Sequence, residues 1–294
     1  AMIYRSPFTV LALVLLLTSC SQTESPKLQS AADIILSNGK IYTMNPEQPW
    51  ADMLAITGGR ISYVGTSEEA PKFTSQSTKV IDLRGKMVLP SFQDVHIHPL
   101  GGGLAFSKCH LFGLETLEQL LDKVEICVRE AKDQNPVIAA GWGWELFTNG
   151  DEPHRRLLDS IDTDKAIILA DSDGHTYWLN SAALAFADID AQTPVPDGGD
   201  FGRDAKGELT GTLMEGPAMG LVDRRLPPLS LAQREQALLY TQTYLHSLGI
   251  TAIQDAMVVN NFPEKYKAMD AFASLQNKGQ LDLRVQAALY WVPG

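Results

Sequence analysis

Apolar and polar positions follow two different rhythms on either side of Pro90. Before it, short apolar runs are broken by turn residues. Runs 33–36 and 40–44 flank Asn38-Gly39, runs 53–56 and 60–64 flank Gly58-Gly59, and runs 79–83 and 86–89 flank Arg84-Gly85. Asn-Gly and Gly-Gly accept the positive φ angles of tight turns, so the spacing predicts three successive hairpins and a small β-sandwich over residues 32–88. After Pro90, strand-like runs at 136–142, 166–170, 250–255 and 283–291, with a weaker one from Leu209, alternate with helical patterns. Thr116 and Gln119 make a capping box ahead of Leu117, Leu120, Leu121, Val124 and Val128 at helical spacing. A second helix is expected over 230–248, closed by Gly249, and a third over 264–276.

Strand and helix in alternation predict an α/β fold of the (β/α)8 TIM-type barrel, over residues 89–294. Such a barrel takes about 250 residues. Only 204 of the 294 residues follow Pro90. The barrel is therefore expected to be incomplete in this chain, which by itself would aggregate or pair with a second polypeptide or further copies carrying the remaining strands.

The first twenty residues have yet another pattern: Arg5, an apolar run over 8–17, then Leu17-Thr18-Ser19-Cys20. Ten apolar residues are too few to span a bilayer but suit the core of a signal peptide. The ending resembles a bacterial lipobox, which implies lipidation at Cys20 and an exported protein anchored on the periplasmic side of a membrane. Residues 21–31 then read as a polar tether. An ordinary secretory signal or a retained N-terminal anchor remains the alternative.

Charge narrows the partners. There are 24 basic and 35 acidic residues, a net of -11, with no Lys/Arg cluster, so nucleic acid is not expected. Besides Cys20 there are Cys109 and Cys127. Two cysteines exclude a disulfide framework and leave a single bridge open. The dipeptide Cys109-His110 reads better as a packed cysteine beside a surface histidine than as a nucleophile with its base.

The densest candidate chemistry is Ser91-Phe92-Gln93-Asp94-Val95-His96-Ile97-His98-Pro99. On an extended strand residues i and i+2 share a face, so His96 and His98 can present two imidazoles to one metal ion. The apolar run 86–90 before them predicts a buried strand with the histidines at its C-terminal end. Two core histidines that only hydrogen-bond are the competing explanation. Gly101-Gly102-Gly103 lacks the spacing of a nucleotide fingerprint and is expected to be a flexible loop. Trp142, with Trp144, follows a strand and could wall a substrate pocket, or could simply pack. The Pro-, Gly- and Asp-rich stretch 192–207 has the composition of a lid.

The stretch 88–99, the run Asp173-Gly174-His175-Thr176-Tyr177-Trp178-Leu179-Asn180-Ser181 and the run Gly207-Glu208-Leu209-Thr210-Gly211-Thr212-Leu213-Met214-Glu215 together resemble the amidohydrolase superfamily. Within it they are similar to amidohydrolase family 3, the YtcJ-like metal-dependent hydrolases. The resemblance implies one or two divalent ions, zinc or similar, held first by His96 and His98. Glu215 would stand where many members carry a carboxylated lysine, and His175 would reach toward metal or substrate. It also implies hydrolysis of a small amide-like substrate at a carbon–nitrogen bond. The family's catalytic aspartate, on an eighth strand, has no counterpart here. A non-catalytic metal- or substrate-binding lipoprotein, or a phosphoesterase on the same barrel, are the other readings. From the residues alone, His175 could be a solvated turn histidine and Glu215 an acidic residue opening a helix.

Overall fold

The computed structural model describes residues 31–106, 109–148, 151–258 and 267–290. The signal peptide, Cys20, nearly all of the tether and Trp291 lie outside them. Among the described residues no helix is long and apolar enough to cross a membrane. The chain divides into two compact units, residues 1–90 and 91–294.

The first unit contains β1 (Ile34–Ser37), β2 (Lys40–Tyr42), β3 (Trp50–Ala51), β4 (Met53–Thr57), β5 (Arg60–Gly65), α1 (Ala70–Phe73), β6 (Lys79–Asp82) and β7 (Met87–Val88). Of the three predicted hairpins only β4–β5 forms, turning through Gly58 and Gly59 at φ 58° and 71°. Strand β1 instead pairs antiparallel with β4 and parallel with β6, while β2 pairs antiparallel with β3 and parallel with β7. Asn38-Gly39 and Arg84-Gly85 therefore pass the chain from a four-stranded sheet to a three-stranded one. Asn38 and Arg84 have the positive φ that the turn signal reports, but a corner between sheets uses it as readily as a hairpin does. The two corners brace each other: the Gly85 N–H donates to the Asn38 carbonyl at 2.7 Å. Packing decides the pairing, because β1 and β4 together bury Ile35, Met53 and Ala55 with Phe73.

The second unit runs β8 (Phe92–Ile97), α2 (Pro99–Phe106), β9 (Cys109–His110), α3 (Leu117–Glu130), β10 (Val137–Trp142), α4 (Arg155–Asp159), β11 (Ile167–Asp171), β12 (Thr176–Leu179), α5 (Ser181–Phe186), β13 (Asp200–Arg203), β14 (Leu209–Met214), α6 (Glu215–Asp223), α7 (Leu231–Ser247), β15 (Ile250–Val258), α8 (Ala268–Asn277) and β16 (Arg284–Leu289). Strands β8, β15 and β16 form one parallel sheet in the order β16-β15-β8, and the others form a six-stranded sheet in the order β13-β14-β12-β11-β10-β9. No closed barrel forms among the described residues.

Two expectations need correction here, and one strand, β12, has no counterpart among the predicted ones. The glycine run 101–103 is helical, inside α2. Gly103 permits close packing there, since a Cβ on it would sit 2.1 Å from the Ala237 carbonyl oxygen. Part of the 192–207 stretch is sheet: β13 pairs antiparallel with β14 and sets Phe201 in the core. Thr176–Leu179 forms β12, an antiparallel strand between β11 and β14.

Helices α3 and α7 begin where their caps predict. Thr116 accepts the Gln119 N–H at 3.2 Å, though Gln119 reaches back to the Glu115 N–H and not to that of Thr116. Ser230 and Gln233 complete a full capping box on α7. Against the six-stranded sheet, α3 buries Leu120, Val124 and Val128. Beside the sheet that carries the histidines, α7 and α8 pack Ala237, Leu238, Phe272 and Leu275 with Leu100 of α2.

Candidate metal and substrate site

His96 and His98 stand at the C-terminal end of β8, but that strand is not the buried one predicted. The apolar run before it splits: Met87 and Val88 make β7 of the first unit, and the histidine strand starts only at Phe92. Strand β8 lies at a sheet edge, so Phe92 and Val95 are 54% and 70% exposed. Both imidazoles are exposed as well, with ring centroids 5.6 Å apart and planes nearly perpendicular at 84°. Two local bonds fix the backbone there. Asp94 Oδ1 accepts the His96 N–H at 3.0 Å, and the His98 carbonyl accepts the Gly102 N–H at 3.0 Å as α2 begins.

Beside the pair is a carboxylate to which the sequence assigns no role. Asp255 on β15 pairs in parallel register with Ile97 and is 3% exposed. Burial pushes its carboxyl above the ordinary carboxylate value, while the Met257 N–H and the charge of His98 pull it back. Its signal was only positional: it is the first charged residue after the apolar start of a strand.

The second pair is His175 with Glu215. After β11, Asp171 Oδ1 accepts the N–H groups of His175 and Thr176 at 2.9 and 3.0 Å and so shapes the turn into β12. Strands β12 and β14 are joined at Thr176 and Met214, which puts the next residue out on each, His175 and Glu215, side by side. His175 Nδ1 and Glu215 Oε2 are 3.1 Å apart, and the Glu215 N–H donates to the His175 carbonyl at 2.7 Å. The Glu215 carboxylate holds the His175 imidazolium pKa above its ordinary value. Glu215 also has φ 68°, a left-handed conformation that costs a non-glycine residue roughly 1 kcal/mol. Strain of that kind persists where the surroundings impose it. Glu215 also opens α6, as expected of an acidic residue at a helix start.

Trp142 is corrected to a core residue. It is fully buried, its indole N–H donates to the Leu169 carbonyl at 3.1 Å, and its ring meets Trp144, Phe147 and Trp178. Trp144, 44% exposed, is the one that faces outward. The cysteine beside His110 is no free thiol, because Cys109 and Cys127 are bonded. His154 caps α4, its Nδ1 accepting the Arg156 N–H at 3.2 Å, and burial lowers its pKa.

Among the described residues the donors make only part of a metal site. Zinc takes about four ligands. His96 and His98 offer two, and among the described residues no group of three or more His, Cys, Asp or Glu side chains could hold a metal ion. Glu215 in particular stands with His175 and does not join the His96–His98 pair in such a group.

The chain has relatives among known proteins. Residues 79–291 match the amidohydrolase family, and the chain belongs to it. The protein is 32% identical to YtcJ of Bacillus subtilis (strain 168) over 69% of this chain and 39% of that one. It is 31% identical to the N-substituted formamide deformylase of Arthrobacter pascens over 81% of this chain and 45% of that one. An uncharacterized metal-dependent hydrolase from Pyrococcus horikoshii has the same fold over 87% of this chain and 48% of its own, with a TM-score of 0.61 and 24% identity. The chain spans about half the length of the curated relatives it matches.

Proposed function

We propose that the protein hydrolyses carbon–nitrogen bonds of small amide-like substrates, as a divalent-metal enzyme whose first metal donors are His96 and His98. The observation that carries this is the pair of exposed imidazoles at the end of β8 beside the buried Asp255, in a chain of the amidohydrolase family. The deformylase among its relatives favours an amide-like bond. Zinc or a similar ion would polarise the scissile carbonyl when bound.

The chain's own side chains suggest further roles. Asp255, kept toward its protonated form by burial, is placed to hold or pass a proton next to His98. His175, charged more readily because of Glu215, offers a donor to a substrate oxygen. The two sheets of the second unit are read as two arcs of a (β/α)8 barrel. A lipid anchor at Cys20 would hold the protein to a bacterial membrane on its exported side.

The test is turnover by the full-length protein, loaded with zinc, on N-acyl and formamide compounds with a phosphotriester alongside. Metal-dependent release of amine from the first two is expected. Turnover of the phosphotriester alone would make it a phosphoesterase, and bound metal with no turnover on any of them would make it a binding protein.

A further inference from the structure

A cavity of about 350 Å³ lies between the end of α3 and the start of β10, at the low end of the size range of small-molecule sites. It is at the opposite end of β10 from Trp142, and it shares no residue with the two histidine pairs. Part of its lining is apolar: Val137 and Ile138 of β10 contribute, together with the Cys109–Cys127 disulfide. Two anchors fix the helix beside it. The disulfide ties α3 to β9 with the Cα atoms 5.9 Å apart, and Lys165 Nζ donates to the Ala131 carbonyl just past the helix at 2.6 Å.

The remaining lining is polar and carries both signs of charge, from Lys123, Glu130 and Gln134. Lys123 and Glu130 are nearly two turns apart on α3, so they share one face of the helix with about 10 Å between them along its axis. No ion pair joins them. None of the three side chains has a hydrogen-bond or ion-pair partner among the described residues. Lys123 is half-buried, while Glu130 and Gln134 are exposed.

This arrangement selects by charge and by length. An anion drawn to Lys123 also meets the Glu130 carboxylate, and a cation drawn to Glu130 also meets the Lys123 ammonium, so a singly charged ligand gains little. The ammonium and carboxylate on one α-carbon are too close together to reach both residues. A chain of methylenes between the two charged groups spans the gap and covers the apolar lining.

We propose that this cavity binds a small linear amino acid whose ammonium and carboxylate stand at opposite ends of an aliphatic chain. The carboxylate lies on Lys123, the ammonium on Glu130, and the methylenes against Val137, Ile138 and the disulfide. Each charged end makes a charge-assisted hydrogen bond, and the Gln134 amide, donor and acceptor at once, serves either end. The site is independent of the metal chemistry proposed for His96 and His98.

The probe is 6-aminohexanoate, with hexanoate and hexylamine as its singly charged counterparts, each titrated into the full-length protein while backbone amide resonances are followed. Saturable shifts within residues 123–138 are expected with 6-aminohexanoate, and affinities at least about tenfold weaker with the other two. Lys123→Glu or Glu130→Lys alone should weaken 6-aminohexanoate by at least about tenfold. The double variant Lys123→Glu with Glu130→Lys should restore binding, because the ligand then lies the other way round. Neither side chain belongs to the core that α3 builds against the sheet, so the variants keep the fold. No shifts with 6-aminohexanoate, shifts confined to other residues, hexanoate or hexylamine binding as tightly, or a double variant as weak as the single ones would overturn the proposal.

Discussion

The imidazole of His175 and the carboxylate of Glu215 face each other just past the joined ends of β12 and β14, 3.1 Å apart, and a main-chain bond from the Glu215 N–H to the His175 carbonyl holds the same two residues together. The pair is 40 residues apart in sequence, so only the antiparallel pairing of two strands brings it about.

The contact sets the charge of His175. Its folded pKa is raised, first by the hydrogen bond to Glu215 and then by that carboxylate's charge. The stabilisation is thus complete below the unfolded histidine pKa and disappears as pH rises through the folded one. Both side chains are more than half exposed, so the effect on overall stability is small. Glu215→Gln should lower the His175 pKa toward the ordinary histidine value, read from the ring resonances in an NMR titration. An unchanged titration would mean that Glu215 does not control His175.

Asp255 shifts in the same direction from a different cause. Burial raises its folded pKa, so its contribution favours the fold below the unfolded aspartate pKa and is lost as pH rises through the folded value. At neutral pH the ionised form carries a desolvation cost that Asn would not. Asp255→Asn is expected to raise the melting temperature at pH 7, with the gain fading under acid conditions. A lower melting temperature at pH 7 would show that the carboxylate is stabilised by partners that outweigh its burial.

The glycines of α2 divide sharply. A Cβ on Gly103 would meet the Ala237 carbonyl and the Thr241 hydroxyl at 2.1 and 2.7 Å, whereas Gly101 and Gly102 have nothing within 4 Å. Gly103→Ala should cost about 1–3 kcal/mol by overpacking. Gly101→Ala or Gly102→Ala should instead gain up to about 1 kcal/mol from helix propensity. Denaturant unfolding of the three variants checks the contrast, and equal shifts would contradict the packing of α2 on α7.

Local signals were the legible ones. Thr116 and Ser230 mark two helix starts because each caps its own next turn, and Val137–Trp142 and Ile167–Asp171 read as strands because both are buried runs. The His96–His98 pair was visible because a strand's two-residue period needs no partner to be recognised. Pairings between distant residues were not legible. Asn38-Gly39 announces a turn but not that β1 will choose β4 and β6 over β2. Asp255 reaches His98 only through a parallel register between β15 and β8, and no local pattern encodes such a register. Trp142 shows the same limit from the other side: a strand-end tryptophan looks alike whether it walls a pocket or fills a core, and three neighbouring aromatic rings decide it.

The lipid anchor proposed at Cys20 has a direct test. The wild-type protein should partition with membranes and carry acyl chains on a mature N-terminus at Cys20, and Cys20→Ala should be unprocessed or soluble. Mass spectrometry of the mature N-terminus reads this directly. An unmodified terminus at another residue would remove the lipid anchor.

Elemental analysis of metal bound after dialysis against zinc, in wild type and three histidine variants, tests the metal role of the β8 pair most directly. His96→Ala and His98→Ala should each lose most of the bound zinc. His154→Ala, which removes only the cap of α4 at about 1 kcal/mol, should keep it. Equal zinc in all three variants would contradict the assignment of His96 and His98 as the first metal donors.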